Sequence, residues 1–543
     1  MAHFQDKVVY QIYPKSFYDS NHDGSGDLKG ITAKLDYLAY LGVDYLWLTP
    51  IFVSPQNDNG YDVANYYEID PLFGTMADLE ELIAEAKKRN IYLMFDMVFN
   101  HTSTSHEWFK KAMQGLQHYK DYYIFKKNEG HLPTNWESKF GGSVWEYVAK
   151  DDEYYLHLFD RSQADLNWDN PEVRSQLADI LNFWIAKGIK GFRFDVINLI
   201  SKDLYEDDDQ GVGKRFYTDG KNVAPYLHEL NQRTFGRYDD IMTVGEMSAT
   251  TIDHCINYTR PDHQILDMTF NFHHLKVDYQ DKEKWTVMPF DFAELKQLFH
   301  TWQVEMQKGK GWNALFWNCH DQPRSVSRFG DDDRYHQISA KMLASAIHLQ
   351  RGTPYIYQGE EIGMTNNYFT DISQYRDVES INYYHILKQQ GMNEADIHQI
   401  LQAKSRDNAR SPMQWDEQGG FSDQKPWMEI NPNTKDINVK NSIADPDSIF
   451  HYYRRLIQLR KQYKIISEGL YEPYLIDHDA IYAFKRHYHQ EELIVVNNFY
   501  GKSTQVQIPD LDDYEILISN YPDHQIQENL TLRPYETIAF YKK

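Results

Sequence analysis

The chain has 543 residues, of which 41% are hydrophobic and 15% aromatic, and a formal net charge of −24 at pH 7. That length carries one large domain with satellites, and that charge repels nucleic acid and anionic membrane surfaces, so an anionic small molecule needs a local basic cluster. No apolar run approaches the roughly 18 to 20 residues of a membrane span, and MAHFQDKVVYQIY has no signal pattern, so a cytoplasmic protein without a membrane partner is expected.

In chain order, a first β-rich run, VVYQIYP near residue 8, is followed by Asp19-Ser-Asn21-His-Asp23-Gly-Ser25-Gly-Asp27. Oxygen-bearing side chains recur there at alternate positions, as in calcium loops, but the bidentate Glu that completes an EF-hand is missing. DYLWLTP near 44 is the second strand. Thr75 can then cap a helix over TMADLEELIAEAKKRN, with Leu79, Leu82 and Ile83 on one face and Lys87, Lys88 and Arg89 at the end that favours cations.

The third strand, IYLMFDMVFNH near 91, leads into about 70 residues rich in Tyr, Trp, Asp and His, far longer than an ordinary βα loop. Asn170 and Pro171 open a helix that Gly188 ends after Lys187. IKGFRFDVI near 189, IMTVGEM near 241, ILDMTFNF near 265, NALFWNCHDQ near 313 and TPYIYQGEE near 353 bring the strands to eight. The acidic run at 206–210 reads as a solvated loop, and Cys255 and Cys319, the only cysteines, as small buried hydrophobes. From about 466 the pattern becomes short alternating strands, including AIYAFKR, ELIVVNNF and ETIAFY.

Eight strands alternating with helices predict an α/β fold, a (β/α)8 barrel formed by residues 1–97 and 169–465. Residues 98–168 are expected as a subdomain inserted over its C-terminal mouth, and 466–543 as an antiparallel β-sandwich. Asp195, Glu246 and Asp321 each stand at the C-terminal end of a different strand, where such barrels assemble their sites. Paired carboxylates suit retaining glycoside cleavage, one as nucleophile and one, protonated near neutrality, as acid and then base. Lys276, Lys282 and Lys284, after the sixth strand, are the basic cluster on the mouth side, with Lys214 or Arg215 as helpers.

DMVFNH (96–101), GFRFDVI (191–197), VGEM (244–247) and NCHDQ (318–322) resemble, in order, the motif blocks of the α-amylase superfamily, glycoside hydrolase family 13. The resemblance implies Asp195 as nucleophile, Glu246 as acid/base, Asp321 as the third carboxylate and Arg193 as support for Asp195. It implies that His101 and His320 hold glucose hydroxyls, that Asp58 and Tyr61 close the subsite of exo-acting members, and that Arg410 pairs with that aspartate. It also implies one structural Ca²⁺ on Asp19, Asn21, Asp23, Asp27 and the Ser25 carbonyl, with no organic cofactor and no obligate protein partner. Within the superfamily, FYTDG (216–220), GEMSATT (245–251), MTFNFHHLKVDY (268–279) and GWNALFWNCHDQPR (311–324) are more similar to trehalose-6-phosphate hydrolases than to oligo-1,6-glucosidases. A phosphorylated disaccharide substrate is then implied, with Lys276 and Lys284 as phosphate ligands. The alternatives are a neutral α-1,6-glucoside, a transglycosylating relative, and a non-catalytic transporter subunit.

Overall fold

Eight parallel strands stand around a ring in sequence order: β1 (Val9–Ile12), β2 (Tyr45–Leu48), β3 (Tyr92–Met97), β4 (Gly191–Phe194), β5 (Met242–Glu246), β6 (Met268–Phe270), β7 (Ala314–Leu315) and β8 (Thr353–Tyr357). β1 pairs with β2 on one edge and with β8 on the other. A single parallel bridge from Thr269 to Asn313 joins β6 to β7 and closes the ring. This computed structural model describes residues 4–523 and 526–543.

The strands read as near-continuous apolar runs because both faces are covered; every residue of β1, β2, β5 and β8 is buried. Inside the ring, Trp47 of β2, Phe270 of β6 and Tyr355 of β8 meet at ring separations of 4.5 to 6.1 Å. The Arg193 guanidinium of β4 lies 5.0 Å from the Trp47 ring. Side chains from the even strands thus fill one layer of the barrel directly beneath the mouth, and that layer has a cation built into it.

The expected helix signals hold. Thr75 and Asp78 form a reciprocal capping box at the start of helix Met76–Lys88. Asn170 accepts from the Glu172 N–H ahead of helix Pro171–Lys187, which stops at Gly188 with φ 103°.

Between β3 and helix Pro171–Lys187 lies a three-stranded antiparallel sheet, Phe125–Lys127, Glu153–Leu156 and Trp145–Val148. Its core, including Trp136, Trp145 and Leu156, packs on Val196, Leu199 and Tyr217 from the segment after β4. The acidic run 206–210 belongs to that contact and is not simply solvated. Asp208 is buried and accepts from Gly213 N–H, while the Trp136 indole and the Asn135 amide donate to the carbonyls of Glu206 and Asp208. These bonds give the covered part of the loop backbone its partners, while Glu206, Asp207, Asp209 and Gln210 stay exposed.

The last element is a five-stranded antiparallel sheet, of β9 (Leu470–Tyr474), β10 (Ile481–Tyr488), β11 (Glu491–Asn498), β13 (Glu515–Ser519) and β15 (Thr537–Lys542). A two-stranded sheet, β12 (Thr504–Gln507) with β14 (Asn529–Leu532), accompanies it. Ile481, Ala483, Ile494 and Val496 face Val506, Leu530 and Leu532 across the two sheets. Alternate residues Tyr482 and Phe484 turn the other way into the main core, where Tyr482 meets Phe299 at 5.2 Å. The fold is therefore a (β/α)8 barrel followed by a β-sandwich whose second face is cemented to the barrel helices. Cys255 and Cys319 are buried and unbridged.

Candidate active site

Arg193 organises the mouth. Its Nη1 lies 2.6 Å from both Asp96 Oδ1 and Asp195 Oδ1, and its Nη2 pairs with Glu246 Oε2. Asp195 and Glu246 are each 7% exposed and Arg193 1%. Both candidate acids thus meet the terminal nitrogens of one guanidinium, which holds them on the same side of the mouth. A buried cation of this kind offsets the cost of taking those carboxylates out of water. Asp96, to which sequence reasoning gave no role although it opens the DMVFNH block, also accepts from the Tyr61 hydroxyl at 2.8 Å and the Trp47 indole at 3.0 Å.

Tyr61 stacks on His320 with ring centroids 5.0 Å apart and planes 3° from parallel. The Gln11 amide contacts His320 Nδ1 at 2.8 Å, and Nε2 faces Asp321 Oδ2 at 3.1 Å. With Gln11 donating, the Nε2 proton points at Asp321. His101 Nε2 donates to the Tyr61 carbonyl at 3.1 Å. Burial lowers the pKa of both imidazoles, which keeps them neutral and able to exchange hydrogen bonds with hydroxyls.

A second cation serves the other side. Arg406 contacts Asp321 Oδ1 at 3.1 Å, Asp58 Oδ1 at 3.2 Å, Asp377 Oδ1 at 2.5 Å and Glu379 Oε2 at 3.4 Å. This corrects the assignment of Arg410 as the partner of Asp58. Arg410 sits one helical turn further on, with Nη2 3.1 Å from Asp321 and Nε donating to the His320 carbonyl. Arg406 precedes the short helix Asp407–Arg410 and Arg410 ends it, so a four-residue step selects which carboxylate each one meets. Burial favours a protonated Asp321, but His320, Arg406 and Arg410 outweigh it and hold the carboxyl well below the usual range. Asp58 has the opposite balance: burial dominates over its arginine neighbours and pushes it up to about 7. Gln163, also without a role in the sequence reading, donates to Asp58 Oδ2 and to the Tyr61 carbonyl, tying the pair together.

A cavity of about 240 Å³ opens beside these groups, with Glu246, Asp321, Arg406, Lys139, Lys276 and Lys284 in its wall. Lys284 is committed to Glu379 at 2.6 Å. Lys276 forms no ion pair among the described residues. Lys282 is not in this wall, and Arg215 is paired with Asp208 and Asp209. The loop 19–27 is turned by Gly24 at φ 91°. Asp19 accepts from the N–H groups of Asn21, His22 and Gly24, Asp23 accepts from Ser25 N–H, and Asp27 accepts from Gly30 N–H. Its donor set is all oxygen and fits a hard cation, which would share lone pairs with these bonds.

The catalytic-domain model of the alpha-amylase family matches residues 11–469. The chain belongs to the alpha-amylase family of glycoside hydrolases. A C-terminal domain model of the family matches residues 481–539. The chain is 56% identical to the trehalose-6-phosphate hydrolase of Bacillus subtilis (strain 168), over 98% of this chain and 97% of that protein. It is 48% identical to the oligo-1,6-glucosidase of Parageobacillus thermoglucosidasius, over 99% and 98%. The crystal structure of Bacillus licheniformis trehalose-6-phosphate hydrolase superposes with a TM-score of 0.96 at 54% identity, covering all of both chains. No helix among the described residues is long and apolar enough to cross a membrane.

Proposed function

We propose that this member of the family hydrolyses α,α-trehalose 6-phosphate to glucose and glucose 6-phosphate with retention, through a covalent glucosyl-enzyme. Asp195 attacks the anomeric carbon and forms the ester as Glu246 gives its proton to the departing oxygen, which leaves with glucose 6-phosphate. Glu246, now a carboxylate, takes a proton from water; the water oxygen bonds to the anomeric carbon, the Asp195 ester breaks and glucose departs. Asp321, kept ionised by two guanidinium groups, His101 and His320 hold the hydroxyls of the cleaved glucose, and the Asp58–Arg406 pair walls off its far side.

The observation that carries the substrate is Lys276. On a protein of charge −24 it stands in the cavity shared with Glu246 and Asp321 and forms an ion pair with none of the described residues. Lys284 in the same wall is already neutralised by Glu379, so of the two lysines expected as phosphate ligands only Lys276 keeps its charge available to an anionic substrate, and the two readings need separation. The decisive experiment compares kcat/KM on trehalose 6-phosphate, trehalose and isomaltose for the wild type and Lys276→Ala. A strong wild-type preference for the phosphorylated sugar is expected, and loss of one charge-assisted contact reduces it about tenfold or more. Faster cleavage of isomaltose than of trehalose 6-phosphate replaces this reading with an oligo-1,6-glucosidase.

We also propose that Asp19, Asn21, Asp23, Asp27 and the Ser25 carbonyl hold one Ca²⁺ that stabilises the loop without taking part in the chemistry. Chelation is expected to lower Tm by a few degrees and added Ca²⁺ to restore it. Asp23→Ala, an exposed position outside the helix cap, abolishes that Ca²⁺ response. An unchanged Tm on chelation counts against the ion.

A further inference from the structure

The inserted segment sends one lysine across the mouth. Lys139 donates to Ser248 Oγ at 3.0 Å, on the loop after β5, and its ammonium stands 5.5 Å from the Tyr217 ring. It lines the cavity that holds Glu246, Asp321 and Lys276. Among the described residues no carboxylate pairs with it, whereas its neighbour Lys284 has Glu379. Among the described residues its ammonium has two like charges nearby, Lys214 and Lys276, one hydroxyl as polar partner and open cavity in front of it, so its counter-ion has to come from a ligand.

We propose that Lys139 is a specificity-determining residue that, together with Ser248 and Lys276, grips the anionic group of the leaving sugar, so that the substrate ties the inserted segment to the barrel loops. The proposal rests on the phosphorylated-substrate reading and adds the ligand that sequence reasoning had not singled out. Nothing in residues 136–140, WESKF, marks this lysine as different from a solvated one. Only the docking of that segment over the mouth gives it a ligand to meet.

The electrostatics add a proton linkage. Burial, with Lys214 from the segment after β4 and Lys276 from the segment after β6, pushes the Lys139 ammonium down to about 7. Burial and Lys214 also lower Lys276. The other charged groups in the wall are Glu246, Asp321, Arg406 and the Lys284–Glu379 pair. An unliganded site therefore loses positive charge as the pH rises through neutrality. A phosphate monoester, with its second pKa about 6, becomes a dianion over nearly the same range. Binding the dianion draws a proton onto Lys139, and KM for the phosphorylated sugar is expected to climb above about pH 7.

The test is a comparison of the wild type with Lys139→Gln and Lys139→Arg, measuring KM and kcat from pH 6 to 9 on trehalose 6-phosphate and on p-nitrophenyl α-glucoside. Lys139→Gln should cut the ratio of kcat/KM between the phosphorylated and neutral substrates by about tenfold or more, mainly through KM. Lys139→Arg, charged at every pH tested, should keep much of that ratio and flatten the rise of KM above neutrality. A wild type that prefers trehalose 6-phosphate, with Lys139→Gln leaving the ratio intact or lowering both activities in parallel, overturns this inference alone. A wild type without the preference overturns the substrate reading and this inference with it.

Discussion

Asp195→Asn is expected to lower kcat on every glucoside by on the order of 10⁴ to 10⁶, the scale on which removal of a covalent nucleophile acts, with the fold intact because the amide keeps the shape beside Arg193. Glu246→Gln should give a different signature. An aryl glucoside with a good leaving group needs little protonation, so it still glucosylates Asp195, and the ester then accumulates because no base activates water. Mass spectrometry of the quenched variant should find the protein heavier by one glucosyl group, and added azide should restore turnover as a glucosyl azide product. If Asp195→Asn retained substantial activity, or if azide rescued Asp195→Asn and not Glu246→Gln, the roles argued here would have to be exchanged or abandoned.

Arg406→Met should produce the largest loss outside the reacting acids. The guanidinium touches four carboxylates, Asp58, Asp321, Asp377 and Glu379, all little exposed except Asp321. Removing one member of a buried ionic cluster costs about 3 to 5 kcal/mol because the remaining charges lose their partner. The sign with pH follows from Asp58, whose folded pKa is already raised to about 7. Such a group contributes stability that is fully present below its unfolded pKa, roughly 3.9, and is lost as pH rises through the folded value. Without Arg406 its folded pKa climbs further, so the stability gap between wild type and variant should widen from pH 5 to pH 8. Thermal unfolding at the two pH values checks it; an equal gap at both would mean that the loss comes from packing and not from the charge cluster. Arg406→Lys keeps the charge without the planar fork and should recover only part of the stability.

The barrel was legible because its strands are short apolar runs covered on both faces, and because helix caps such as Thr75 and Asn170 punctuate the segments between them. Asp195 and Glu246 were legible for a related reason, since position at a strand's C-terminal end is a property of local sequence, whereas Asp321 stands six residues beyond the end of β7 in the following loop. What stayed hidden depends on which loops meet. Arg406 and Arg410 are four residues apart, and the family resemblance assigned to Arg410 the Asp58 contact that Arg406 makes. Lys139 and Gln163 reach the mouth only through the docking of residues 98–168, and Asp208 is buried only because Asn135 and Trp136 close over its loop. Lys284, counted as a free cation, meets Glu379 across 95 residues of chain.

The order of strands around the ring bears on how the molecule is made. Each of β2 to β6 lies beside the strand synthesised just before it, so a growing chain can lay down a six-stranded curved sheet as it emerges. The outer edge of β1 has no such early neighbour and stays uncovered until Thr353–Tyr357 arrives, more than three hundred residues later. The opposite edge, at β6, meets β7 through one bridge where every other seam has a ladder. During synthesis the half-built barrel thus carries two bare edges able to accept a foreign strand. Both edge strands are short, with four residues in β1 and three in β6, which limits what a neighbouring chain could seize before the ring shuts.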